Sequence, residues 1–108
     1  MSYNKLVRDK IPDIIRSNGE EPITRILSLE EYKLELEKKL QEELNETLQA
    51  TGNDRIEELA DMLEVMTSLA ELEGKTLDDI IKTRNEKKEK RGGFQKKLYL
   101  LGTKNNKK

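Results

Sequence analysis

Apolar positions fall at helical intervals over most of this chain, and the polar residues between them mark where each helix starts and stops. Residues 1–11 are mixed and basic. Pro12 then opens a short helix through Ile14 and Ile15 to Ser17, which Asn18-Gly19 closes. Pro22 and the alternation of Ile23 with Arg25 predict a short extended connector over 20–27 rather than a sheet. Ser28 and Glu31 have capping-box spacing, so a long helix is expected over 29–49. A turn at Thr51-Gly52-Asn53-Asp54 leads to a second helix over 55–73, capped by Asn53 or Asp54 and stopped by Gly74. Thr76 and Asp79 form a weaker cap for a third over 77–91, ended by Gly92-Gly93. Residues 94–101 make a short apolar-flanked segment. The expected fold class is all-α, a small helical bundle forming one domain over 1–102, followed by a polar tail, 103–108, expected to lack fixed structure.

Two helices carry acids where apolar residues belong. On a wheel of about 100° per residue, Leu36, Leu40, Leu44 and Leu48 make one stripe of the 29–49 helix, with Tyr32 beside it. Glu43 falls inside that stripe, and Glu46 lies at its edge. The 55–73 helix has an apolar arc about 200° wide, from Ile56 and Leu59 through Val65 to Leu72. Glu58 falls within it and Asp61 at its rim, whereas Glu57, Glu64 and Glu71 gather on the opposite face. The short turn makes these helices antiparallel neighbours, so four carboxylates are expected to converge. Unpaired burial of each costs several kcal/mol, roughly, and the four repel one another. With Lys and Arg nearly absent from these inner faces, a divalent ion offsets that cost, and hard oxygen donors select Mg²⁺, with Mn²⁺ as a substitute. The competing reading is that these glutamates are simply solvated, since acidic pairs at this spacing arise easily in so acidic a stretch.

Composition narrows the partners. Hydrophobic residues make up 33% of the 108 positions and charged ones 40%, with four aromatics: Tyr3, Tyr32, Phe94 and Tyr99. Such a chain buries only a thin core, and self-association is the simplest remedy. Without cysteine, disulfides and thiolate sites are ruled out, and without histidine a zinc centre is not expected. The longest apolar run, 98–101, is far too short to span a bilayer, and no signal-peptide pattern opens the chain, so a soluble cytoplasmic protein without membrane partners is expected. Charge is segregated: residues 41–73 carry a net −9 and residues 74–108 a net +8. That division suits a site for cations and polyphosphate together, and equally an ordinary pair of oppositely charged helices.

Glu42-Glu43-Leu44-Asn45-Glu46, followed after a turn by Glu58-Leu59-Ala60-Asp61, resembles the E-E-x-x-E … E-x-x-D signature of the all-α nucleotide pyrophosphohydrolases, which include MazG-like proteins, dimeric dUTPases and phosphoribosyl-ATP pyrophosphohydrolases. The opening Asn4-Lys5-Leu6-Val7-Arg8-Asp9-Lys10-Ile11-Pro12 and the closing Lys90-Arg91-Gly92-Gly93-Phe94 resemble a small MazG-like branch labelled phosphoribosyl-ATP pyrophosphohydrolase-like. The likeness covers residues 3–101. It implies a bundle that assembles as a homodimer or homotetramer, with Glu43, Glu46, Glu58 and Asp61 holding Mg²⁺. It also implies that a later basic motif, Asn85-x-x-Lys88-x-x-Arg91, binds substrate phosphates; the alternative is a solvated basic face. Arg8 and Lys10 are further phosphate candidates, Lys5 a weaker one, and Asp9 is a candidate to orient Arg8. Glu42 points further from the apolar stripe and stays outside the metal set.

The reaction so implied is hydrolysis of a nucleoside triphosphate, or a related nucleotide, to monophosphate and pyrophosphate. Glu43 or Glu46 would accept the proton of the attacking water, and Lys88 and Arg91 would stabilise the departing pyrophosphate. No covalent intermediate is expected, as no nucleophile motif is present. Two rivals come from other classes: a non-catalytic helical dimerisation or interaction module using the wide apolar arc, and, ranked last, a nucleic-acid binder using the basic end. The latter lacks interleaved aromatics and any base-reading motif.

Overall fold

Four helices follow one another along the chain: α1 (Ile11–Ser17), α2 (Leu29–Gln49), α3 (Gly52–Leu72) and α4 (Leu77–Arg91). They are seen in a computed structural model that describes residues 4–105, and among these there is no strand. The first residues of the expected domain, with Tyr3, and the last three of the polar tail lie outside the described residues. Residues 103–105 have no regular structure. No described helix is long and apolar enough to cross a membrane.

Local chemistry sets most helix ends. At the start of α2, Ser28 Oγ accepts from the Glu31 N–H (3.2 Å) while the Ser28 N–H donates to Glu31 Oε1 (3.1 Å), satisfying two otherwise orphaned donors. Arg25 grips the same carboxylate with both terminal nitrogens, at 3.2 and 2.7 Å, and so ties the irregular connector to the helix. Those bonds, Arg25 first and then the Ser28 backbone, hold the Glu31 carboxyl down at about 2. Thr76 and Asp79 repeat the device at α4, so the weaker cap of the sequence is a complete box. Between α3 and α4, Gly74 at φ +73° lets the Lys75 N–H reach the Ala70 carbonyl (3.0 Å), a Schellman ending.

The start of α3 corrects the sequence reading. The helix begins at Gly52, three residues before the expected Arg55, and Thr51 holds the N-cap position without a side-chain bond. Neither Asn53 nor Asp54 caps it. Gly52 takes φ +59°, a left-handed conformation that glycine adopts without penalty, and this turns the chain in two residues. Asp54 instead sits in the first turn, where its charge favours the helix dipole. Arg55 Nε closes the corner on the Ala50 carbonyl at 2.8 Å.

The α2/α3 hairpin is the only extensive helix pair among the described residues; α4 touches α3 alone, and α1 packs on no helix. The buried set among the described residues is small: Leu36 and Val65, with Glu43 and Thr47. Leu44 and Leu48, expected in the α2 stripe, are exposed. A run of i, i+4 leucines drifts about 40° per step, so Leu48 has turned about 120° from Leu36 and no longer faces α3. The radius of gyration is 19.5 Å and the long axis 74 Å; a globular chain of this length has a radius of about 13 Å. The single chain is an open hairpin with projecting segments.

Candidate metal centre

The facing stripes of the hairpin bring the acids together. On α2, Leu36, Glu43 and Thr47 are spaced seven and four residues apart and are all buried. On α3, Glu58 and Val65 stand seven apart on the face turned towards α2. Thr47 satisfies its own hydroxyl on the Glu43 carbonyl at 2.7 Å, and so leaves the Glu43 carboxylate untouched. Carboxylate oxygens of Glu43, Glu58 and Asp61 all lie within 4.8 Å of one another. Glu43 Oε2 and Glu58 Oε2 are shut off from solvent and have no hydrogen-bond partner. Buried oxygens left unpaired in this way are costly, and a hard cation is the group that oxygens so placed fit.

The electrostatics carry the same strain. Burial, then the charges of Glu46 and Asp61, push the Glu43 carboxyl above the ordinary glutamate range. Glu58 is pushed up to about 7, first by the adjacent Glu46 carboxyl, which can hydrogen-bond it only when it is protonated, then by burial and by Glu43. Glu46 is therefore close to the cluster, although it is exposed and stands outside the trio whose oxygens converge. Of the four expected ligands, three meet directly and Glu46 borders them.

Arg8 arrives from outside the hairpin. Its Nη2 lies 2.7 Å from Asp61 Oδ1, both side chains being partly exposed, so Asp61 rather than Asp9 orients it. The sequence placed no cation beside the carboxylates; the segment before α1 supplies one, and no periodicity in residues 1–10 could have revealed the contact. Lys10 is exposed at the N-cap position of α1. Glu42 is exposed and pairs with Lys39 at 3.6 Å. Asn85, Lys88 and Arg91 share a spacing of three but are all exposed on α4, which has no buried residue and does not touch α2. Within one chain the basic motif is not packed against α2's Glu43 and Glu46.

No family model matches the chain, and no solved structure matches it. It is similar to a Mycolicibacterium smegmatis protein described as "Uncharacterized protein", with 46% identity over 50 residues, which are 46% of this chain and 51% of that one. The chain spans about half the length of the curated relative it matches.

Proposed function

We propose that this chain is a Mg²⁺-dependent nucleotide pyrophosphohydrolase of the MazG-like, all-α type, cutting the α–β phosphate bond of a nucleoside triphosphate or related nucleotide. One observation carries the reading: three carboxylates from two packed helices lie within 4.8 Å, with two of their oxygens buried and unpartnered. Glu43, Glu58 and Asp61, bordered by Glu46, would hold Mg²⁺ or Mn²⁺. When bound, the ion supplies Lewis-acid chemistry: it makes water a better nucleophile near neutral pH and offsets charge on the phosphate. Glu43, or Glu46, which is exposed at the edge of the trio, would accept a proton from water. Arg8 is held beside the trio by Asp61 and is the cation nearest to where a phosphate would sit. Asn85, Lys88 and Arg91 bind further phosphate oxygens once assembly as a homodimer or homotetramer, in the cytoplasm, brings α4 to a hairpin.

The competing module reading is favoured by the amount of apolar surface left open, Ile23, Ile26 and Phe94 being at least 97% exposed. Such surface serves association whether or not the chain is an enzyme. A panel of standard, deoxy- and damaged nucleotides with Mg²⁺, scored for pyrophosphate against orthophosphate, separates the two. Pyrophosphate release that disappears in Glu58→Gln supports hydrolysis; orthophosphate alone, or no release from any nucleotide, overturns it.

A further inference from the structure

Residues 94–101 form an apolar arm whose large side chains stand almost wholly in solvent. Phe94, Leu98, Tyr99, Leu100 and Leu101 are each 81–97% exposed, and beyond the turn closed by the Lys97 N–H on the Phe94 carbonyl the arm has no regular structure. Each hairpin helix is about 31 Å long and α4 about 22 Å at 1.5 Å per residue. The 74 Å long axis therefore requires flanking segments that stand clear of the hairpin.

The hairpin has a bare apolar side of its own. Relative to the buried Leu36, Leu44 and Leu48 are rotated about 80–120° one way and Glu46 about 80° the other. Relative to Val65, Leu59 and Leu63 are rotated about 120–160° one way and Asp61 about 40° the other. Because the helices run antiparallel, these rotations put all four leucines on one side of the hairpin and Glu46 and Asp61 on the other, with Glu43 and Glu58 at the seam. The four leucines are 40–67% exposed.

We propose that residues 94–101 are an exchange arm, seated on the leucine side of the α2/α3 hairpin of a second copy of this chain. Two observations choose that occupant. The accessible surface is 10331 Å², against about 6,200 Å² for a folded monomer of this mass. The difference, about 4,000 Å² in each chain, is ample for one partner's share of a permanent subunit interface and far exceeds that of a passing encounter. In addition, only two apolar side chains are buried among the described residues, which is no adequate core for a chain alone, and its own copy is the partner always made with it. The arm leaves the acid side open, so arm exchange stands apart from the metal reading and survives its failure.

The absence of cysteine makes the contact directly testable. Full-length chains carrying only Leu98→Cys are mixed with differently tagged chains carrying only Leu59→Cys and oxidised mildly. The expected product is the mixed disulfide, because the arm of one copy lies on the leucines of the other. Sedimentation of the full chain is expected to show an oligomer, and Phe94→Ser or Leu98→Ser is each expected to weaken it about tenfold or more. A monomeric wild-type chain, or Leu59→Cys chains that link only to one another while Leu98→Cys stays free, overturns the proposal even if a serine variant fails to fold.

Discussion

Replacing Glu43 by glutamine removes a buried negative charge while keeping shape and hydrogen-bonding capacity. The replaced carboxylate lies within 4.8 Å of Glu58 and Asp61 oxygens. At that separation one like-charge pair costs at least about 0.9 kcal/mol in bulk water and about 3.5 kcal/mol at an effective dielectric of 20. Partial exposure of Asp61 pulls the figure towards the lower bound, so Glu43→Gln should stabilise the metal-free chain by about 1–2 kcal/mol. In a domain of this size that raises the thermal midpoint by about 5–10 °C. Divalent metal reverses the order. Mn²⁺ at a hundred times its dissociation constant adds about 2.7 kcal/mol to the wild type, whereas the variant, short of a ligand, gains far less. Thermal unfolding followed by far-UV circular dichroism, in EDTA and then in Mn²⁺, reads both halves. A Glu43→Gln chain less stable than wild type in EDTA, or one that gains as much from Mn²⁺, refutes the reasoning.

The remaining expectations follow from the same geometry. Glu58 has a folded-state pKa raised to about 7, against an ordinary value of 4.5, so the folded chain holds a proton that the unfolded chain releases. The resulting stability is complete below pH 4.5, declines above it and is lost as pH rises through about 7; denaturant midpoints in EDTA from pH 4.5 to 8 should fall, and metal affinity should rise across the same interval. Arg8→Ala breaks only a partly exposed ion pair, so it should change stability by less than about 1 kcal/mol while weakening nucleotide binding, measured by calorimetry. The double variant Lys88→Ala/Arg91→Ala alters exposed side chains, so helix content should be unchanged while kcat/KM falls by about 10²-fold or more. Ser28→Ala removes one half of the α2 capping box and should cost about 1 kcal/mol in chemical denaturation.

What was legible in the sequence was local. Helices α2 and α4 were readable to the residue because their starts are written in Ser28/Glu31 and Thr76/Asp79, and their ends in the turn and in Gly92. The early start of α3 was hidden because Gly52, a turn signal, is itself the first helical residue, and its left-handed φ leaves no mark beyond the glycine. The meeting of Glu43, Glu58 and Asp61 was legible because Glu43 and Glu58 fall within the apolar arcs of their helices and Asp61 at the rim of one. The Arg8–Asp61 contact was not, since it joins an irregular segment to a helix 53 residues away. Nor was the exposure of Leu44 and Leu48. Their type predicts burial, and only the angular drift along α2, seen against a single packed neighbour, shows them facing away from α3.

Crystals of the full chain soaked in Mn²⁺ and measured near the manganese absorption edge give the most direct view of the centre. The account predicts an anomalous peak bounded by oxygens of Glu43, Glu58 and Asp61, lost in Glu58→Gln crystals. Carboxylates turned outward into water, with no peak among them at saturating Mn²⁺, would contradict it.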